Sequence, residues 1–66
     1  MKNRIKVERA ETEVTQQQLA DAVGVSRQTI VAIEKGQFLP STPLAIKISR
    51  YFSKPVESIF ILEEDD

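Results

Sequence analysis

Apolar residues along this chain recur at helical intervals far more often than at alternating positions, so the pattern predicts helices rather than strands. Gly24, Gly36, Pro40, Pro43 and Pro55 punctuate it. The first helical stretch covers about Arg4–Glu11, is weakly amphipathic, and has Ile5 as its clearest anchor. The second opens at Thr15, a good N-cap, with Gln18 placed as in a capping box. It runs through Leu19, Ala20 and Val23 to Gly24, where glycine admits the left-handed backbone that ends a helix. Ser26 can cap a third helix, which ends at Gly36 and carries Ile30 and Ile33 on its inner stripe. Gln37–Leu39 reads as a loop. Ser41 can cap a fourth helix, with Pro43 tolerated in its first turn and Leu44, Ile46, Ile48, Tyr51 and Phe52 supplying its apolar faces. A short fifth begins near Pro55 and includes Val56 and Ile59, with Phe60 at its limit; Ile61 and Leu62 can be extended. The expected fold class is all-α, five short helices with brief connections and room for a small terminal β-strand pair.

Only Gly24-Val25-Ser26 separates the second and third helices, so the two must cross steeply. Ala20 allows the close approach that such a crossing needs. Val25 fills the turn, and Leu19, Ile30 and Ile33 close a shared core. This is the helix-turn-helix arrangement. A plain αα-corner with no nucleic-acid role fits the same geometry.

The outer face of the third helix distinguishes the two. With Ile30 set inward and a step of about 100° per residue, Ile33 and Ser26 also point inward. Gln28, Val31, Ala32 and Lys35 point outward, with Arg27 and Thr29 on the flanks. On a solvated helix, outward Val31 and Ala32 are tolerable but have no use. In a major groove, apolar groups pack on thymine methyls, glutamine pairs with adenine and arginine with guanine. Arg27, Gln28, Val31 and Ala32 are therefore candidate base contacts, indifferent surface being the alternative for Val31 and Ala32. Lys35, near the helix end, reaches phosphate rather than a base edge. Gln16 starts the second helix, where free N–H groups and the positive dipole end favour a phosphate. Ser26, Thr29, Gln37 and Ser41 complete the candidate phosphate contacts, Ser26 being first of all a cap.

Composition narrows the picture. A chain of 66 residues makes one small domain, and a domain of that size buries only roughly 60% of its unfolded surface. Such domains usually gain support from disulfides, a metal or a partner subunit. Cysteine and histidine are both absent, which leaves self-association as the expected supplement and no cofactor or metal site. No apolar run approaches the roughly 20 residues of a membrane span, and MKNRIKVERAE resembles no signal peptide. A soluble, cytoplasmic, nucleoid-associated protein is expected.

Net charge is −1, yet four of the ten acids are the final four residues. Residues 1–62 alone carry nine basic and six acidic side chains, or +3. The expected division is thus 1–62 as a DNA-binding and dimerisation domain and 63–66 as an acidic tail. Such a tail is usually solvated, and it can hold down non-specific DNA affinity by repelling phosphates.

The run TQQQLADAVGVSRQTIVAIEKG, followed by the PSTPLA opening of the fourth helix, resembles the phage repressor and Cro proteins of the Xre family. The resemblance extends from about Arg4 to Phe60. It implies a five-helix DNA-binding domain whose third helix meets bases with its first turn, here Arg27 and Gln28. It also implies a structural salt bridge between Arg9 and Glu34, so that Glu34 does not count against DNA binding. Relatives of this kind commonly bind operators as dimers and usually repress transcription. The chain departs from the family pattern at Glu8, where an apolar residue is frequent, and at Ser53, where a helix-ending glycine is frequent. Both departures concern packing, not the DNA-reading positions.

The apolar run Ile59, Phe60, Ile61 and Leu62 exceeds what one small core readily absorbs. It is the expected homodimer interface, with a chain end simply packed down on its own core as the alternative. Short members of the family often dimerise through this part of the chain. A two-fold dimer places recognition helices about 34 Å apart and implies a near-palindromic double-stranded operator. No enzyme is expected, because His, Cys and a phosphate-cradling glycine loop are missing and no serine has a visible partner base. Nor is a small-molecule ligand. The rival is a protein-interaction module on the same fold, an antitoxin-like or anti-repressor partner gripping through the C-terminal apolar run.

Overall fold

The computed structural model describes residues 1–66. In chain order the elements are β1 (Lys2–Asn3), α1 (Ile5–Thr12), α2 (Gln16–Val23), α3 (Arg27–Glu34), α4 (Thr42–Tyr51), α5 (Val56–Ile59) and β2 (Phe60–Ile61). The helices form where local chemistry closes their ends. Gln18 N–H donates to Thr15 Oγ1 at 3.0 Å while Thr15 N–H donates to Gln18 Oε1 at 2.9 Å, a reciprocal capping box that starts α2. Thr29 N–H donates to Ser26 Oγ at 3.2 Å to start α3, and Leu44 N–H to Ser41 Oγ at 3.3 Å to start α4.

Gly24, with φ at 79°, ends α2 in the left-handed region, and both its N–H and that of Val25 return to the Ala20 carbonyl. Gly36, at φ 74°, ends α3 the same way. Its N–H donates to Ile33 O at 3.0 Å and that of Gln37 to Ala32 O at 2.9 Å, a Schellman closure. Glu13 and Ser53 occupy equivalent turns at φ 57° and 56° without glycine's freedom. Each accepts strain of about 1–2 kcal/mol. Ser53 completes its turn all the same, with its own N–H on Arg50 O and that of Lys54 on Ser49 O.

One core joins all five helices: Ile5, Leu19, Ala20, Val23, Ile30, Ile33, Ile48, Phe52, Ile59 and Phe60. Ala20 is wholly buried, as expected of the small side chain beside the short α2–α3 link. On α4, Ile48 and Phe52 take the inner stripe with Leu44 and Ala45 beside them. Ile46, nearly opposite Ile48 around the helix, is exposed. So is Tyr51 at the last position of α4, although it lies within one turn of Ile48. The Tyr51 ring still covers Phe52 edge-on, with centroids 5.2 Å apart.

The chain ends meet in a two-stranded antiparallel sheet, Lys2 opposite Ile61 and Asn3 opposite Phe60. This strand pair corrects the reading of the C-terminal run. Ile59 is completely buried and Phe60 is 6% exposed, so both belong to the chain's own core rather than to a dimer face. The helix ends at Ile59 and the change to extended backbone keeps the Phe60 side chain inside; only Ile61 and Leu62 remain outside.

Glu8 lies buried at 2% exposure, where its carboxylate accepts from Lys54 Nζ at 2.7 Å. The left-handed turn at Ser53 delivers Lys54 to that position. Lys54, next to Ser53 in the chain, is thus what satisfies the buried Glu8 carboxylate. The acidic tail folds back: Glu63 N–H donates to Asp66 Oδ2 at 2.7 Å, and the Met1 ammonium lies 3.2 Å from Glu63 and 3.0 Å from Asp66. Hydrogen bonds to Asp66 and then Glu63 raise the ammonium above its ordinary pKa. The Glu63 N–H, then the ammonium, hold Asp66 below the usual carboxylate range.

Candidate nucleic-acid interface

Because Ile30 and Ile33 are sunk in the core, α3 is fixed in rotation and its opposite side is presented outward. Arg27, Gln28 and Lys35 are exposed, while Thr29, Val31 and Ala32 are half-buried. Arg27, Gln28, Val31 and Ala32 line one shallow concavity together with Gln37. The Schellman closure brings Gln37 there, since its N–H is tied back to Ala32. Gln37 thus stands beside the four candidate base readers rather than apart from them. The concavity combines an arginine fork, two amide side chains and a patch of methyl groups.

A chain of polar contacts stabilises one edge of this surface. Arg9 Nε donates to Glu34 Oε2 at 2.7 Å and Arg9 Nη2 to Glu34 Oε1 at 3.2 Å, a two-pronged pair between α1 and the end of α3. Arg9 Nη1 also donates to the Val14 carbonyl at 3.0 Å. Gln16 Nε2 donates to Glu34 Oε1 at 3.2 Å, and Arg27 Nε donates to Gln16 Oε1 at 3.3 Å. Glu34 therefore spends its negative charge on Arg9, and its side chain is only 8% exposed. Gln16 is a bridge between the two ends of α3 rather than a free arm, with one amide proton left to offer. Arg27 keeps its terminal nitrogens and makes no ion pair.

Local capping occupies the hydroxyls. Ser26 and Thr29 lie 3.0 Å apart, and Ser41 is engaged by Leu44 N–H. Lys35 caps the end of α3 with its own backbone while its side chain stays exposed and without an acidic partner. A groove joins it to Lys6, Arg9, Gln16, Val31 and Glu34. Lys6 is a member absent from the candidate residues of the sequence. Its spacing from Arg9, one helical turn away on α1, was the available signal. Ile61 is 40% and Leu62 76% exposed, on the strand pair at the chain ends.

No group of three His, Cys, Asp or Glu side chains is arranged to hold a metal ion, and no helix is long and apolar enough to cross a membrane. A model of the helix-turn-helix family matches residues 5–59. The chain is similar to an HTH-type transcriptional regulator of Methanocaldococcus jannaschii, 53% identical over 66 residues and covering 100% of both chains. It is likewise similar to one of Bacillus subtilis, 48% identical with 100% of both chains covered. A third, from Methanothermobacter thermautotrophicus, is 48% identical over 98% of this chain and 96% of its own.

Proposed function

The chain belongs to the Xre-type helix-turn-helix family of DNA-binding transcription regulators, and on that premise we propose that it is a repressor that grips a near-palindromic operator as a homodimer. In this reading α3 enters the major groove. The observation that carries it is the single concavity of Arg27, Gln28, Val31, Ala32 and Gln37 on the outward face of α3. Arginine donates two hydrogen bonds to guanine, glutamine exchanges two with adenine, and the Val31 and Ala32 methyls pack on thymine methyls. Gln37, at the rim, has the reach for a base edge as well as for the backbone.

Phosphates are met on either side. Gln16, with its remaining amide proton and the free first-turn N–H groups of α2, takes one; Lys35 takes another. Ser41 accepts a cap bond and keeps its hydroxyl proton. Ser26 and Thr29 share one hydroxyl–hydroxyl bond and keep one proton between them, so these hydroxyls serve as secondary clamps. Residues 1–62 act as the DNA-binding and dimerisation unit, and the acidic 63–66 segment limits non-specific binding. Ile61 and Leu62 supply the apolar centre of the two-fold contact, which sets the recognition helices about one helical turn of DNA apart. A regulator of this kind works in the cytoplasm, at the nucleoid.

Selection of bound duplexes from a random pool tests the reading, followed by titration against salt. A protein meeting six to ten phosphates loses roughly 10³–10⁵-fold in affinity between 50 and 200 mM salt. The selected sequences are expected to be near-palindromic. Failure to bind any duplex in a salt-sensitive way would favour a protein-interaction module instead. For the dimer, Leu62→Asp is expected to shift the sedimentation mass to that of one chain while the helical circular dichroism is kept. An unchanged mass would remove the C-terminal contact from the account.

A further inference from the structure

One side chain of β1 reaches the end of α3. Asn3 Nδ2 donates to the Ile33 carbonyl at 2.8 Å, across 30 positions of sequence. The same side chain accepts at Oδ1 from Ile5 N–H at 3.2 Å, at the start of α1. Its backbone stands opposite Phe60 in the strand pair, and the next N–H, that of Arg4, donates to Ile59 O at 2.8 Å. Asn3 is therefore a three-way tie between the recognition helix, the first helix and the C-terminal strand that carries Ile61. The Ile33 carbonyl already accepts from Gly36 N–H, so α3 is closed without Asn3. The extra bond adds nothing to the end of the helix; what it adds is a fixed relation between α3 and β2.

We propose that Asn3 is a positioning residue that sets the angle of the recognition helix relative to the C-terminal strand, and thereby the half-site spacing the dimer accepts. The inference rests on the homodimeric DNA-binding reading above. Packing of Ile30 and Ile33 seats α3 on the core, and the Arg9–Glu34 pair with Gln16 ties its last turn to α1 and α2, but none of these contacts sets its angle to the C-terminal strand. The directional bond from Asn3 on β1 to the Ile33 carbonyl does so at that last turn. Across a two-fold axis both helices rock by the same amount, so the change in their relation is twice that of either, and successive major-groove faces recur only every 10–10.5 base pairs or so.

The test uses Asn3→Asp, which keeps an acceptor for Ile5 N–H and loses the donor to Ile33. Its affinity is compared with that of the unmodified protein for the selected operator, for versions one base pair longer or shorter between half-sites, and for one half-site alone. The unmodified protein is expected to prefer one spacing, and the variant to lose that preference by roughly two- to tenfold, the scale of a single neutral hydrogen bond. Half-site affinity should stay the same. Val56→Ala, which trims the core away from α3, should lower stability and leave the spacing preference intact. If Asn3→Asp keeps the full preference, or loses half-site and full-site affinity equally, Asn3 does not position the helix. A flat profile for the unmodified protein itself would instead overturn the dimeric reading on which the proposal stands.

Discussion

The α2–α3 pair and the joined chain ends are built by opposite means. Every terminus of α2 and α3 is closed by residues within five positions of it: Thr15 with Gln18, Gly24 with Ala20, Ser26 with Thr29, Gln37 with Ala32. The chain ends are joined to each other at long range, Asn3 against Phe60 and Arg4 against Ile59, and Glu8 reaches Lys54 across the same kind of span. Local closure costs little loop entropy and shapes a surface whose outward side chains are free to vary. Long-range closure depends on the whole core and constrains its members to it. The difference teaches where each kind of substitution is felt: in binding for the first region, in folding for the second.

Truncation at the chain ends should break the comparison most severely. Phe60→Ala removes a buried ring and is expected to cost about 3–5 kcal/mol, read as a shifted urea midpoint. If stability held, Phe60 would not be the core residue its 6% exposure indicates. Next comes the link between the regions. Arg9→Met leaves the Glu34 carboxylate buried without its partner, at a cost of about 3 kcal/mol, the low end for one-sided loss of a buried pair because Arg9 stays 16% exposed. Adding Glu34→Leu to it should restore most of that stability, and a double variant as unstable as the single one would refute the charge argument. The smallest effect sharpens the contrast from the other side. Ser53→Gly relieves a left-handed residue at φ 56° and should raise stability by about 1 kcal/mol, visible as a higher thermal midpoint. A lower midpoint would mean that the Ser53 backbone is not strained as described.

The same division governs what could be read from the sequence. Thr15, Gly24, Ser26 and Ser41 announced the ends of their helices because capping is decided by neighbours. Ile30 and Ile33 announced the rotation of α3 through spacing alone. On α4 apolar residues occur on several faces, so periodicity could not separate Ile48 and Phe52 from the exposed Ile46 and Tyr51. Counting apolar residues at the C-terminus assigned Ile59 and Phe60 to a dimer face along with Ile61 and Leu62. The pattern leaves room for a terminal strand, but nothing local shows that Phe60 turns inward where it begins. The Arg9–Glu34 contact came from resemblance, not from spacing. Gln16 as a bridge and Asn3 as a tie escaped both, since their partners lie 18 and 30 positions away. Glu8 stood out as a misfit in sequence, and its explanation, Lys54, lies 46 positions on.

The proposed function rests on the outward side of α3 reading base edges, and Gln28 is an exposed amide on that side. Gln28→Ala should be titrated, at one fixed salt concentration, against the selected operator and against a random duplex of equal length. The account predicts a loss of about 1–3 kcal/mol on the operator and none on the random duplex, with the urea midpoint unmoved. An equal loss on both duplexes, or no loss on either, would contradict it.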